Sequence, residues 1–412
     1  MTHRIIAGFM PLLDSALLVA ARTKGFAEAE GIDLTLLRET SWANIRDRIA
    51  VGHVQVAHML GPMPIACNLG LTPLAAPTVV PMALGLGGNA VTVSNALWSL
   101  MEREGARPDL SPAGTGHALR EVVACRARDG WARLRFAVVH PHSSHNYELR
   151  YWLSACGIVP GQDIDILILP PSLMPDALAS GALDGFCAGE PWNTVAVAQG
   201  SGRIATVKAA IWRQSPEKVL GVDAAWAGTH PEALDALLRA LHRAAVWCGT
   251  PANREELAAL LSDPAHVGCP ADRLLPALTG QLRIAPDEVA AVPDFFVPQA
   301  SAATFPWKSH ALWFYSQMVR WGQVAHAPRA AQIARDTYRP DLYRRALGPL
   351  GVALPSANAK VEGALTRPTP VGSSGASLVL GPDGFFDGAR FDPDSLDAYV
   401  AAQQGSPDAQ RA

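Results

Sequence analysis

Four stretches of the chain carry side chains whose types and spacing point to chemistry. The densest is HPHSSHNYELRYWL, residues 140–153, which follows the strand-like RFAVV and runs into a helical pattern. His140, His142 and His145 are close enough to suggest a metal, yet there is no H-E-x-x-H, and the loop offers no Cys or carboxylate ligand. The alternative is an anion, because a helix N-terminus presents unpaired N–H groups and a partial positive charge, and a first-turn His adds a donor. A plain capping loop is the third reading. The second stretch is SPEK, residues 215–218. Its S-x-x-K spacing occurs in penicillin-binding enzymes, but the companion S-D-N and K-T-G motifs are missing. Lys218 is one of 5 lysines in a chain with 34 basic residues, and a compact ammonium suits a monoanion, the other reading being a surface lysine.

The third stretch is GLGGN, residues 85–89. Gly85 and its neighbours can turn backbone N–H groups toward a small anion with Asn89 as an amide donor, or they can simply form a turn needing positive φ. These glycines lead into a strand rather than follow one, which is wrong for a dinucleotide fingerprint. The fourth is Ser41-Trp42, where the indole N–H of Trp42 can serve a pocket or the ring can be one of 11 tryptophans filling the core. Glu190 in GEPWN reads as a general acid or, more simply, as the cap of a helix starting at Pro191. Nothing assembles a nucleophile, a base and oxyanion donors, and there is no Walker loop and no G-x-S-x-G. The chain reads as a binding protein without a cofactor, not an enzyme.

Positioning these residues takes an alternating framework. Strands are expected at 4–10, 33–38 and 54–60. They alternate with a helix over 14–30 capped by Asp14 or Ser15, a helix capped by Ser41 and a helix opening at Pro62. A β-α-β-α-β run implies parallel strands, with ligands off their carboxyl ends. A second α/β set is expected with strands at 90–94, 135–139, 164–169 and 184–187. Its helices fall near 95–104, 116–129, 146–156, 173–180 and 191–199. Runs at 203–208 and 219–222 look like the return path. From Pro231 the chain reads as helical, at 231–248, 252–262, 271–280 and 307–322. Residues 351–376, rich in Pro, Gly, Ala and Ser, read as extended, and the end beyond about 403 as frayed. The expected organisation is a discontinuous lobe I at 1–88 and 220–350, an inserted lobe II at 89–219, and a wrapping segment at 351–412.

Composition narrows the function classes. The 412 residues are 49% hydrophobic and only 17% charged, with a formal net charge of -3. Such a chain buries a large core and lacks the basic excess of a general nucleic-acid binder. Its six cysteines are scattered and read as free thiols rather than a zinc site or a disulfide framework. The apolar stretch Ile5 to Ala21 is interrupted by Pro11 and Asp14, and no apolar run reaches the length of a membrane span. The expectation is a soluble, cytoplasmic protein with no export signal.

Several motifs stand in an order that resembles one family. GFMPLLDSALLVAARTKGFAEAEGIDL, SWANIRD, AHMLGPMP, SSHNYELRYWL, GEPWN, PEKVLG, FPWKSHALWF, YRPDLYRRAL and FFDGARFDP, spread over residues 4 to 400, resemble the nitrate-binding proteins of the NrtA/CmpA/NasS group. The resemblance implies a type II periplasmic-binding-protein fold, α/β, with two lobes closing over nitrate, nitrite or bicarbonate. It places the ligand on Trp42, Asn89, His145 and Lys218, with Gly85 as a further backbone donor. Asn89 departs from the Gln common in transporter relatives, which bears on pocket size. The early start and the absence of an early Cys look like the NasS branch, a cytoplasmic nitrate/nitrite sensor. That branch implies a partner, the RNA-binding antiterminator NasT of the ANTAR type, released when the anion binds, with no direct contact to nucleic acid or membrane. The alternatives are a binding component of an ABC uptake system and, against the scattered cysteines, an enzyme resembling a thiamine-pyrimidine synthase.

Overall fold

The computed structural model describes residues 2–404; the expected frayed end falls outside the described residues. Ten strands build two five-stranded sheets: β1 (His3–Phe9), β2 (Ile32–Arg38), β3 (Val56–Leu60), β4 (Thr78–Ala83), β5 (Asn89–Ser94), β6 (Leu134–Val138), β7 (Ile164–Ile168), β8 (Gly185–Gly189), β9 (Gly202–Val207) and β10 (Lys218–Asp223). The first sheet has the order β2-β1-β3-β10-β4, the second β9-β5-β8-β6-β7. β1 runs parallel to β2 and β3, with Ala7 beside Leu36 and Val56. β10, returning from the second sheet, lies antiparallel between β3 and β4. In the second sheet β6 is parallel to β7 and β8, and β5 is antiparallel to β8 and β9.

Strands buried on both faces read as continuous apolar runs rather than alternations. β3 and β8 follow this rule, with every residue buried, including His58 in β3. β4 was not anticipated. Pro81 interrupts its sequence TVVPMA, and β4 sits at the sheet edge, where a missing N–H is tolerated. Lys218 and Val219, assigned by sequence to the inserted lobe, begin β10 in the first sheet.

The single helix expected over 14–30 is replaced by a short turn at Leu13–Ser15 and helices at Ala16–Thr23 and Phe26–Ala29. Gly25 breaks it with a φ of 73°, a left-handed conformation that glycine adopts without a Cβ penalty. Neither expected cap serves as one: the Ser15 hydroxyl donates to Leu12 O at 2.7 Å, and Asp14 is buried in ion pairs. By contrast, Ser41 caps the Trp42–Ala50 helix, its Oγ accepting from Asn44 N.

Beyond residue 230 the long Pro231–Gly249 helix packs on the Ala16–Thr23 helix. The hairpin of Gln281–Ala285 and Glu288–Ala291 and the helices Pro328–Thr337 and Pro340–Leu347 were not anticipated. Residues 351–376 are extended, with short ladders at Leu354–Pro355 and Thr369–Val371. The chain then crosses back, where Arg213 N donates to Gly384 O and Phe386 N donates to Ile211 O. Apolar packing is continuous between the lobes, since one core cluster holds Trp42 and Met59 together with Phe136, Trp152 and Trp212. No helix among the described residues is long and apolar enough to cross a membrane.

Candidate functional site

The facing ends of the two sheets meet in a buried polar cluster. From the first sheet's side come Asp14 in the turn after β1, Trp42 at the start of the helix after β2, and His58 in β3. From the second come Asn89 at the head of β5, Ser144, His145 and Glu148 on the Ser144–Ala155 helix after β6, and Lys208 just beyond β9. Glu217 and Lys218 stand on the crossing between them. These are the strand ends and crossover points where α/β folds place ligands. All these side chains are at most 5% exposed.

The local sequence fixes each position. Ser143 caps the Ser144–Ala155 helix, its Oγ accepting from Asn146 N at 3.0 Å. That cap sets Ser144 and His145 in the first turn, aimed at the crossing. Trp42 presents its ring to Lys218 Nζ, 5.4 Å from the centroid, and its edge to His58. Gly85 is accounted for by backbone geometry: its φ is 117°, and an added Cβ would lie 3.0 Å from the Phe296 ring.

Ion pairing ties the cluster together. Lys218 Nζ lies 2.7 Å from Asp14 Oδ2 and 2.6 Å from Glu217 Oε1, and Asp14 Oδ1 lies 3.1 Å from His58 Nε2. Glu217 Oε2 accepts from Asn89 Nδ2 at 2.6 Å, and also from Ser144 Oγ and Lys208 Nζ. Lys208 Nζ further donates to Pro216 O at 2.6 Å and lies 2.8 Å from Glu148 Oε1. His145 Nδ1 is 3.5 Å from Glu217 Oε1, too far for a good hydrogen bond. Among the described residues, His145 Nε2, Trp42 Nε1 and Asn89 Oδ1 are buried without a hydrogen-bond partner. Trp42 Nε1, and His145 Nε2 when it carries the ring proton, are orphaned donors that call for an acceptor, whereas Asn89 Oδ1 is itself an acceptor and calls for a donor.

Burial pushes His145 down to about 3, so its ring is neutral near pH 7. Burial would raise Asp14, but Lys218 and His58 hold it at about 2. Burial likewise opposes ionisation of Glu217, yet His145, Lys208 and Lys218 keep it well below the usual carboxylate range. Glu148 is the exception: burial wins and lifts it to about 8. Asp14 and Glu217 are thus ionised at pH 7; both pair with Lys218, and Glu217 also pairs with Lys208.

Trp42, Asn89, His145 and Lys218, named from sequence, thus share one cluster. Asp14, His58, Ser144, Glu148, Lys208 and Glu217 were missed. The signals were present: Asp14 interrupts an apolar run, Lys208 is another of the rare lysines, and Glu217 adjoins Lys218. His140 and His142 stay outside. His142 N donates to His140 Nδ1 at 3.0 Å, and His142 Nδ1 faces Gln323 Oε1 at 3.2 Å. No group of three His, Cys, Asp or Glu able to hold a metal occurs among the described residues. Glu190 caps the Trp192–Ala198 helix, accepting from Thr194 N at 3.1 Å.

Comparison with known proteins gives this arrangement relatives. The NMT1-like family matches residues 2–262. The nitrate/nitrite binding protein NrtA of Synechococcus elongatus is 31% identical over 408 residues, covering 96% of this chain and 85% of that one. The bicarbonate-binding protein CmpA of the same species is 30% identical, covering 95% and 85%. A longer relative, the nitrate import ATP-binding protein NrtC of Synechocystis, is 34% identical over 84% of this chain, which spans only 50% of it. The crystal structure of the periplasmic nitrate-binding protein NrtA from Synechocystis superposes with a TM-score of 0.84 at 28% identity, covering 98% of both chains. The two-lobed fold is that of the periplasmic binding proteins. The chain belongs to the NMT1-like family, in the nitrate- and bicarbonate-binding group of NrtA and CmpA.

Proposed function

We propose that this protein binds a small oxyanion of the nitrate, nitrite or bicarbonate class between its two lobes and catalyses no reaction on it. The observation that carries this reading is the buried convergence of Lys218 and Trp42 from one lobe with Asn89 and His145 from the other. Lys218 supplies charge, while the unpartnered Trp42 Nε1 and His145 Nε2 supply directional donors. Contacts drawn from both lobes make the anion stabilise the closed arrangement, because a ligand shifts a conformational equilibrium by its differential affinity for the two forms. Asn89, shorter than Gln, leaves more room at the crossing.

The relatives favour the role of substrate-binding component in an ABC import system. The likeness of residues 140–153 to the NasS branch carries a second role, a cytoplasmic sensor that releases a NasT-like RNA-binding antiterminator when the anion binds. In that role partner and anion weaken each other's binding equally. Calorimetric titration with nitrate, nitrite and bicarbonate tests the shared core of both readings. At least one of the three binds, and Lys218→Ala weakens it by about 2 kcal/mol or more, roughly 30-fold, as loss of a buried charged partner does. No heat and no thermal shift with any of the three at millimolar concentration would sink the anion reading. Anion-dependent release of an RNA-binding partner separates the sensor from the import role.

A further inference from the structure

Glu217, the acidic neighbour of Lys218 in PEKVLG, has no part in the anion reading so far. Its carboxylate is planar and singly charged, with oxygens set like two of those on nitrate or bicarbonate. It also takes the donors that the anion reading requires. Oε1 pairs with Lys218 and faces His145, and Oε2 accepts from Asn89, Ser144 and Lys208. Three of the four residues proposed for the ligand therefore meet this one side chain, and Trp42 stacks over the lysine it binds. Its side-chain partners come from the second lobe and from Lys218 at the start of β10, so Glu217 ties the second lobe to the crossing as a bound anion would.

We propose, building on the anion-binding reading, that Glu217 is a built-in competing anion that a ligand must displace from Lys218, Asn89 and His145. Ion pairing supports this. Lys218 already pairs with Asp14 and Glu217, and Lys208 with Glu217 and Glu148, so an anion added beside Glu217 finds both ammonium groups engaged, and buried sites resist an anion without a partner of its own. The displaced carboxylate has a place to go: Lys208 already binds Glu217 Oε2, Pro216 O and Glu148 Oε1. Rotation toward Lys208 frees Lys218 while keeping Glu217 paired. The competitor also sets a threshold, so that weakly held anions do not displace it. The planar carboxylate marks the shape the donors accept, trigonal rather than tetrahedral oxyanions.

Titration of the wild type and Glu217→Gln with nitrate, nitrite and bicarbonate at pH 7 tests this. Glu217→Gln keeps the shape and removes the charge, and it is expected to bind the preferred anion at least 10-fold more tightly. Equal or weaker binding by a folded Glu217→Gln, with the wild type still binding, overturns the competitor and leaves the anion reading standing. Failure of both proteins to bind any of the three overturns both. Should Glu217→Gln not fold, Glu217→Ala with added sodium formate replaces it. Formate then stands in for the lost carboxylate and raises the melting temperature of Glu217→Ala but not of the wild type; no such difference overturns the proposal.

Discussion

At the scale of single residues, the site is governed by which buried groups keep their charge. Glu148 and Glu217 share Lys208, yet burial lifts Glu148 to about 8 while Glu217 stays ionised. The consequence is a pH-dependent stability whose sign follows from proton counts. An unfolded chain releases the Glu148 proton near 4.5, whereas the folded protein holds it to about 8. Between those values the folded state binds the extra proton, so stability falls as pH rises. His145 acts oppositely between about 3 and 6.5, where the unfolded chain holds the extra proton and stability rises with pH. Other buried histidines act like His145, and Glu190, which burial raises to about 7, acts like Glu148, so the Glu148 contribution is isolated by comparing the wild type with Glu148→Gln. The melting temperature of the wild type relative to that of Glu148→Gln should therefore fall between pH 6.5 and 8. Parallel profiles from differential scanning calorimetry would mean that Glu148 is ionised in the folded protein. The spacing of residues could not show this. Glu148 lies on the helical face of HNYELRYWL like any amphipathic carboxylate, and only the approach of Lys208, 60 positions away in sequence, makes it a site residue.

At the scale of elements, the site depends on helix starts. The Ser144–Ala155 helix delivers Ser144, His145 and Glu148, and its first turn is held by Ser143, whose hydroxyl also donates to His140 O at 2.7 Å. Ser143→Ala should destabilise the protein by about 1 kcal/mol, the usual loss for an N-cap. It should also weaken anion binding, since His145 lies two residues inside the freed turn. Urea unfolding and calorimetry check the pair of effects; a stability loss with unchanged affinity would mean that packing alone holds His145. Such starts are the most legible part of the sequence, because a Ser before an apolar-periodic run has one favourable use. Ser41 and Ser143 show it in their cap bonds. The same logic failed at Asp14, where a capping residue type was claimed by Lys218 at the start of β10, two strands across the first sheet and 204 positions on in sequence. It failed at β4 for a different reason. Strand Thr78–Ala83 has no alternation and contains Pro81, and only its edge position permits it. Local patterns thus report what a segment can do alone, whereas ion pairs and edge positions are set by distant chain.

At the scale of the whole molecule, two lobes that must part to admit an ion are also strapped together. The C-terminal segment lays Phe385 flat on Trp212, with ring centroids 4.5 Å apart, close to the crossing that carries Glu217. Trp212 in turn meets Trp313 on the Lys308–Arg320 helix, which packs against the Pro62–Asn68 helix of one lobe and the Ser144–Ala155 helix of the other. Tyr151 on the latter helix bonds Asp387 at 2.8 Å, and Lys360 anchors the strap by pairing with Glu362 and Asp383 in a buried cluster. Composition foretold an extended, Pro- and Gly-rich segment here, but not that aromatic residues 385 and 386 would bring it back over the crossing. The stack thus joins the strap and the crossing to a helix that touches both lobes, and a parting of the lobes would have to be accommodated there. Phe385→Ala removes the ring that joins strap and crossing, and a buried Phe to Ala change destabilises by about 3–5 kcal/mol. Hydrogen exchange should then quicken at Phe386 and Arg213, whose N–H groups bond across this seam. It should quicken less in β1 and β3, which lie in the other sheet. Exchange rising evenly across both sheets would show that Phe385 supports the fold as a whole rather than the hinge between its lobes.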